Sequence, residues 1–374
     1  VSYMCKISLK EYLKRHATSE NDYAGIDKLI DLSDSEFLEQ RSSGMSDLWG
    51  VRSQAVKTQL ISSLNDIKII DPACGSGAFP IGMMQLLIKT YDRLSAIYDS
   101  SLKKMRYMRP NEHNDIYSTK LFIIQNSLFG VDIEPMAVEI ARLRAWLSLI
   151  IDDKKDVDPL PNLDFNFTCA NTLVPLKNMV GEQLTLDDDS AEYEEKFNAL
   201  IGQYFNAHSL SQKNELREEF RKFRKEVESS PSVFGGNEKK EQLASWNPFN
   251  SSKPAFFFDS KTMFNVEKFD IVIGNPPYIN FNDIKEDSHA IYEPLKYKTY
   301  KATGDMYCLF IEKGINLLKD KGILTYITSN KWMRAGYGEA LRDYLSKNSN
   351  PLLLIDFGGV KVFESATVDT DILQ

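Results

Sequence analysis

The sequence predicts an α/β fold in which a mostly parallel sheet carries helices on both faces. Short β-branched segments, such as residues 67–70 and 270–273, alternate with longer segments of helical periodicity. Two of these strands run into turns of unusual composition, at residues 71–77 and 275–278. Because the carboxyl ends of parallel strands share one edge of a sheet, we expect the two turns to lie close together.

Length and charge limit the classes of protein to consider. The chain has 374 residues and a net charge of -8, so it can hold two or three domains, and bulk charge does not indicate nucleic-acid binding. Any such binding needs a local basic patch or a basic region outside this chain.

The four cysteines form no C-x-x-C pair and the histidines no H-E-x-x-H pattern, so we expect neither disulfides nor a metal site. Without a signal peptide or a membrane-length apolar stretch, a reduced, cytoplasmic protein is the expectation.

The predicted elements divide the chain into three parts. An N-terminal helical segment is expected over residues 1–64. The α/β domain is expected over residues 65–174 and 263–374, with its last strand cut at Gln374. Residues 175–262 break the alternation of strand and helix and predict a helical insertion. The interleaved basic and acidic residues of this insertion favour a solvated, ion-paired face over a nucleic-acid stripe.

The glycine-rich turn after the first predicted strand is the opening of a nucleotide-binding βα unit. Gly75 and Gly77 allow a positive φ and close approach of a ligand, and a helix N-terminus follows them. The turn is neither G-x-G-x-x-G nor a P-loop with its lysine. Asp71, taken as an anion, would repel a phosphate and attract an ammonium or sulfonium group. The charge therefore favours S-adenosylmethionine over NAD or ATP, with a plain capped turn as the weaker interpretation.

Two later strands end in polar side chains that suit the rest of such a cofactor. Asp132 lies where an acid accepts hydrogen bonds from ribose hydroxyls, although it could instead cap the next helix. Pro135 fits the first turn of that helix, whose apolar face, including Leu143, is expected in the core. Asn171 ends a third strand, where its amide could pair with an adenine edge or only form a turn.

The turn at residues 275–278 predicts a rigid rim with unpaired acceptors. Asn275 precedes a proline and is held in extended geometry. Pro276 and Pro277 stiffen the turn and lack N–H donors, while Tyr278 adds an aromatic ring. This rim suits a planar base with an exocyclic amine, but a plain end of a strand is an equally good interpretation of the motif alone. The tyrosine-rich residues 279–303 predict either a mobile loop over a site or a plain surface loop.

The turns at 71–77 and 275–278 together resemble those of the gamma-group amino-methyltransferases that methylate adenine N6 in DNA. From about residue 65 the chain is similar to the methylase part of type IIG restriction–modification enzymes and related phage-defence methylases, which share the helical insertion. Other matching motifs lie at residues 130–135, 169–173, 304–307, 327–332 and 362–363. The resemblance implies a Rossmann-like S-adenosylmethionine-dependent methyltransferase sheet. We expect a Tyr-Thr-Pro cofactor motif and the target recognition domain of such enzymes to be missing from this chain.

The resemblance also implies a role for individual residues. Those implied to bind S-adenosylmethionine are Asp71, Pro72, Ala73, Cys74, Gly75, Gly77, Asp132, Ile133 and Asn171. Those implied to act in catalysis are Asn275, Pro276, Pro277 and Tyr278. The implied partner is double-stranded DNA with an adenine flipped out of the helix, stacked on Tyr278 and closed on its other face by Phe363. No metal is implied.

Three other functions remain open from the sequence. The same rim could methylate the amide of a protein glutamine or the amine of an RNA base. A non-catalytic DNA-binding or cofactor-binding subunit is disfavoured because both motifs are intact. An NAD-linked oxidoreductase is disfavoured by the loop pattern and by Asp71. No endonuclease motif is visible, so any restriction activity is expected outside this chain.

Overall fold

A computed structural model describes most of the chain. The described residues are 1–17, 19–42, 54–96, 116–151, 166–177, 190–205, 207, 210–229, 238–284, 290–360, 362 and 369–374. The helices are α1 Ser2–His16, α2 Tyr23–Asp31, α3 Asp34–Ser42, α4 Gln54–Asp66, α5 Ala78–Ala96, α6 Ile116–Asn126, α7 Pro135–Ile150, α8 Ser190–Phe205, α9 Leu210–Ser229, α10 Glu238–Ser245, α11 Ser260–Phe264, α12 Met306–Leu317 and α13 Glu339–Asn348. The strands are β1 Ile69–Asp71, β2 Leu128–Asp132, β3 Phe167–Cys169, β4 Phe269–Gly274, β5 Leu318–Ser329, β6 Leu354–Asp356 and β7 Thr370–Leu373.

The described strands form one seven-stranded sheet in the order β3-β2-β1-β4-β5-β7-β6. The first five strands in this order pair in parallel, whereas β7 runs antiparallel between β5 and β6. The predicted α/β fold with a mostly parallel sheet is therefore confirmed. Strands β1 and β4 are direct neighbours in register, with Ile70 opposite Val272. Their carboxyl ends consequently lie side by side at the centre of the sheet.

Successive strand residues point to opposite faces of the sheet, so apolar side chains lie on both faces. Helices cover each face and form a separate hydrophobic core there. Ile69 belongs to one hydrophobic core and Ile70 to the other. The first core also contains Leu9 of α1, and the Ser8 hydroxyl donates a 2.8 Å hydrogen bond to the hydroxyl of Thr325 on β5. The N-terminal helices thus share a core with the sheet.

Helices α8 to α10 lie within the region predicted as a helical insertion, and α11 crosses its predicted end at residue 262. All four helices pack on the second core. Phe197 and Phe220 are buried there beside Trp246. The Trp246 indole N–H donates a 2.8 Å hydrogen bond to the hydroxyl of Thr168 on β3. This contact ties the residues that follow α10 to strand β3.

Helix α7 follows β2 and begins at Pro135, as predicted. Its residues Val138 and Ala141 are buried. Leu143, in contrast, is 50% exposed, so its expected place in the core is wrong. The reason is that α7 is apolar on two sides, and the outer stripe consists of Met136, Ile140, Leu143 and Leu147. Within the part of the chain that the structure describes, no helix is long and apolar enough to cross a membrane.

Candidate active site

The two motif-bearing turns meet at the carboxyl edge of the sheet. Asp71 is the last residue of β1, and Gly274, which precedes Asn275, is the last residue of β4. A Cβ atom added to Gly274 would lie 2.6 Å from Oδ1 of Asp71. Only glycine therefore lets β4 pass the Asp71 carboxyl without displacement, and the two turns are in direct contact.

The glycine-rich turn has the backbone conformation that its composition predicts. Gly75 has a φ of +52° and Gly77 a φ of +80°. The Cys74 N–H donates a 2.9 Å hydrogen bond to the carbonyl of Val131, and the Pro72 carbonyl accepts a 2.7 Å bond from the hydroxyl of Thr172. The turn is thus fixed to its neighbours, while no described atom lies within 4 Å of the Cβ position of Gly75.

Asp71 is almost fully buried, with 2% of its surface exposed. Its Oδ1 accepts a 3.1 Å hydrogen bond from the N–H of Ala73, but its Oδ2 has no hydrogen-bond partner among the described residues. The pKa of this carboxyl is raised to about 8, chiefly by burial and also by the nearby charge of Asp132, while the hydrogen bond from the Ala73 N–H opposes the rise. The expectation of a plain anion therefore needs correction, since the ligand-free carboxyl largely keeps its proton at pH 7.

An orphaned, buried carboxyl oxygen fits a cationic ligand. A nearby positive charge favours the ionised form and lowers the pKa again, which offsets the cost of burying the acid. S-adenosylmethionine carries two such groups, an ammonium and a sulfonium. The open space at Gly75 and the orphaned oxygen of Asp71 thus fit that cofactor.

Asp132 ends β2 and holds the glycine-rich turn in place. Its Oδ2 accepts a 2.8 Å hydrogen bond from the N–H of Gly75, and its Oδ1 accepts a 2.9 Å bond from the N–H of Glu134. A carboxylate can accept about four hydrogen bonds, so capacity remains for a ligand hydroxyl. Ile133 follows it with 54% of its surface exposed, an apolar side chain at the rim of the turn.

The segment after Tyr278 packs over the end of β3. The Asn171 side-chain amide donates to the hydroxyl of Tyr292 at 3.5 Å, and the Tyr297 hydroxyl donates a 2.7 Å bond to the carbonyl of Leu173. Tyr292 is buried, with 7% of its surface exposed. These contacts favour a segment that covers the site over a plain surface loop.

The Asn-Pro-Pro-Tyr motif sits at the edge with Asn275 exposed, Pro276 buried, and Pro277 and Tyr278 half-buried. The Tyr278 hydroxyl donates a 2.7 Å hydrogen bond to Oδ1 of Asn275 and lies 3.1 Å from the carbonyl oxygen of Ile327. The amide oxygen of Asn275 is therefore already engaged. Burial raises the pKa of Tyr278, so its hydroxyl stays protonated as a donor.

The set of site residues predicted from the sequence differs from the set found at the site in the structure. Phe363 lies outside the described residues. Gly274 and the carbonyl of Ile327 were not predicted. Gly274 matters because of the space it leaves, and Ile327 acts through its backbone, and neither property gives a sequence motif. Tyr292 stood in a segment noted for its tyrosines, and only the fold brings it to Asn171.

Comparison with known proteins agrees with these motifs. A sequence model described as the Eco57I restriction-modification methylase matches residues 126–363, and one for the DNA-methyltransferase domain of MmeI matches residues 50–183. A putative type II restriction enzyme and methyltransferase of Methanocaldococcus jannaschii is 27% identical over 97% of this chain and 33% of its own length.

Two further relatives come from Escherichia coli. The type II restriction enzyme and methyltransferase RM.Eco57I is 26% identical over 82% of this chain and 24% of its own length. The adenine-specific methyltransferase BrxX of strain HS is 24% identical over 78% of this chain and 23% of its own length. The chain therefore spans a third or less of these relatives.

Among solved structures, the type IIL restriction-modification enzyme MmeI in complex with DNA overlaps 94% of this chain and 39% of its own, at a TM-score of 0.45 and 13% identity. An overlap at this score adds nothing to the assignment. The match over residues 126–363 covers more than half of the chain and includes the Asn-Pro-Pro-Tyr motif. S-adenosylmethionine is the cofactor of this class of methylase. The chain belongs to the Eco57I restriction-modification methylase family.

Proposed function

We propose that this chain transfers a methyl group from S-adenosylmethionine to N6 of an adenine flipped out of double-stranded DNA, within a restriction–modification or phage-defence system. The observation that carries the proposal is the direct contact between the ends of β1 and β4 at Asp71 and Gly274. It brings a turn suited to a cationic cofactor beside a rim suited to an aromatic amine. The relative BrxX, named as adenine-specific, supports adenine as the target.

On the cofactor side, the residues of the glycine-rich turn provide the binding groups. Asp71 would face the positive charge, and the Gly75 region would accept the ligand close to the backbone. Asp132 would accept hydrogen bonds from the ribose hydroxyls of the cofactor, and Ile133 would contact its adenine ring. Asn171, held by Tyr292, would present its amide to the edge of that purine.

On the DNA side, Tyr278 would supply the surface that receives the target base. An adenine amine inside a duplex is out of reach of the sheet edge, so the nucleotide must turn out of the stack. Stacking on an aromatic ring stabilises an extruded base by about 1–3 kcal/mol. Phe363 is proposed to close the opposite face of the base.

The chemistry of the rim follows from charge. The adenine amine is a poor nucleophile because its lone pair is delocalised into the ring. Oδ1 of Asn275 and the carbonyl oxygen of Pro276 would accept its two N–H groups. These bonds strengthen as positive charge develops on the nitrogen, so they favour the transition state over the ground state.

The Tyr278 hydroxyl uses one of the two lone pairs on Oδ1 of Asn275, so the second can accept an N–H of the amine. If the Tyr278 hydroxyl turns away, the carbonyl oxygen of Ile327 at 3.1 Å can accept its hydrogen bond instead, which frees both lone pairs. When held by Asp71 and the glycine-rich turn, S-adenosylmethionine would supply an electrophilic methyl group. The amine nitrogen would bond to the methyl carbon, the carbon–sulfur bond would break with its electrons on sulfur, and an amine proton would pass to solvent. Orientation by the rim supplies much of the rate.

The central test is Asn275→Ala in the full-length protein. Loss of one oriented acceptor should lower kcat by about 10²-fold or more, because that bond is strongest in the transition state. Transfer of labelled methyl from S-adenosylmethionine to unmethylated bacterial DNA gives kcat, and digestion of the product to nucleosides identifies N6-methyladenine.

The matched control is Asn282→Ala, which removes an exposed asparagine from the same segment. It should methylate at the wild-type rate, and both variants should bind S-adenosylmethionine equally in calorimetry. Wild-type turnover by Asn275→Ala would refute the catalytic role. Label in protein or RNA rather than DNA would instead show that the substrate is wrong.

A further inference from the structure

The motif at residues 304–307 closes the segment that leaves the Asn-Pro-Pro-Tyr turn. The Phe281 N–H donates a 2.9 Å hydrogen bond to the carbonyl of Gly304, and the Met306 N–H donates one of 2.9 Å to the carbonyl of Ile279. These two bonds hold residues 279–281, which follow Tyr278 directly, against residues 304–306. The proposed reaction gives this motif no role of its own.

Tyr307, the last residue of this motif, lies against the ring of Tyr278. The two ring centroids are 6.2 Å apart and the ring planes are nearly perpendicular, at 87°. Tyr307 has no exposed surface, so dense packing holds its ring. An edge-to-face pair of this kind stabilises one relative orientation of the two rings.

A directed chain of hydrogen bonds fixes Tyr307 from its other end. The Tyr337 hydroxyl donates a 2.5 Å bond to Oδ2 of Asp305, which uses its single proton. The hydroxyls of Tyr307 and Tyr337 are 2.9 Å apart, so Tyr307 must be the donor to Tyr337. Burial raises the pKa of both tyrosines, which keeps the two protons that the chain needs.

We infer that Tyr307, held by Tyr337 and Asp305, is a positioning residue that fixes the orientation of the Tyr278 ring. This inference rests on the proposed function, in which that ring is the surface for the extruded base. Tyr307 does not touch the reacting atoms. It acts by limiting the positions from which the amine can meet Asn275 and Pro276.

Two substitutions test the inference in the full-length protein. Tyr307→Leu removes the ring that faces Tyr278, and Tyr337→Phe keeps all rings but breaks the chain to Asp305. The matched control is Tyr344→Phe, which removes a hydroxyl that donates a 3.2 Å hydrogen bond to Oδ1 of Asn316, near the C-terminal end of α12. Should Tyr307→Leu fail to fold, Tyr337→Phe carries the test.

The kinetic readout separates positioning from a general loss of structure. Because small misplacements of a substrate cost up to about 10²-fold in rate, we expect Tyr307→Leu to lower kcat roughly 10-fold to 100-fold on unmethylated bacterial DNA. The KM for S-adenosylmethionine should stay within about 2-fold of wild type, since the cofactor residues are untouched. Tyr337→Phe should give a smaller loss of kcat, and Tyr344→Phe none. A parallel loss in kcat and in cofactor affinity would overturn the inference in favour of a structural role.

A spectroscopic readout does not depend on activity. With 3-fluorotyrosine at position 278, the fluorine resonance reports the ring environment of Tyr278. We expect Tyr307→Leu and Tyr337→Phe to shift or broaden this resonance while Tyr344→Phe leaves it unchanged. An unchanged resonance in the first two would overturn the inference even if the wild-type enzyme methylates DNA. A shifted resonance with no methylation by the wild type would instead contradict the proposed function alone.

Discussion

At the scale of single residues, Asp71 shows how burial changes what a carboxyl can do. Its pKa of about 8 stands far above the ordinary value of 3.8, because the group is shielded from water. A ligand with positive charge reverses this effect. At Asp71, a proton and the proposed cationic cofactor would therefore compete for the same carboxyl.

This competition predicts a pH dependence of stability. The unfolded carboxyl ionises near pH 4 while the folded one keeps its proton up to about pH 8. Its contribution to stability is thus fully present below pH 4 and is lost as the pH rises towards 8. Melting temperatures of the ligand-free protein between pH 5 and pH 8.5 should fall more steeply for wild type than for Asp71→Asn, which cannot ionise. Equal slopes would contradict the buried, protonated state.

At the scale of elements, the ends of β1 and β4 can lie side by side at the candidate site because Gly274 leaves room for Asp71. In Gly274→Ala, the new Cβ would lie 2.6 Å from Oδ1 of Asp71, so the carboxyl or the strand must move. We expect a stability loss of about 1–3 kcal/mol and a roughly 10-fold weaker binding of S-adenosylmethionine, measured by thermal unfolding and calorimetry.

Gly202→Ala in helix α8 is the control for that substitution. No described atom lies within 4 Å of its Cβ position, so it should stabilise the helix by about 0.5–1 kcal/mol and leave cofactor binding unchanged. If Gly274→Ala behaves in the same way, the contact between the two turns is not important for the site.

The mostly parallel sheet, the two turns and the positive φ of Gly75 and Gly77 could be predicted, because local composition and the alternation of strands and helices dictate them. The order of the strands in the sheet was not predicted. The protonation of Asp71 could not, since it depends on how many atoms the fold packs around the carboxyl. The engagement of Asn275 by Tyr278 depends on a rotamer that the motif does not encode. Leu143 was misplaced because a helix that is apolar on two sides gives no periodic sign of which side is inner.

At the scale of the whole molecule, the N-terminal helices complete one face of the sheet. Leu9 of α1 is fully buried in the core that also holds Ile69 and Ile271. Sequence distance from the site therefore does not make α1 a separate unit.

This arrangement predicts that a substitution in α1 destabilises the catalytic sheet. Leu9→Ala should lower the free energy of unfolding by about 2–5 kcal/mol, because it opens a cavity in the shared core. Chemical denaturation followed by tyrosine and tryptophan fluorescence measures this loss. Tyr3→Ala, at a position 50% exposed on the same helix, is the control and should change it little. A loss for Leu9→Ala confined to α1, with the sheet unfolding at the wild-type denaturant concentration, would show two independent units.

The bond between Trp246 and Thr168 holds chain beside β3, and this bears on whether that strand can pair with a second molecule. Among the strands that the structure describes, β3 lies at one edge of the sheet. An uncovered edge strand offers free N–H and carbonyl groups to any chain that can pair with it. The segment at Ala255, which follows α10, covers part of this edge. Ala255 forms a β-bridge with Ala170, and the Asn171 N–H donates a 2.9 Å hydrogen bond to the carbonyl of Ala255. Backbone groups at this end of β3 are therefore already paired within the chain and are not open to pairing with a second molecule.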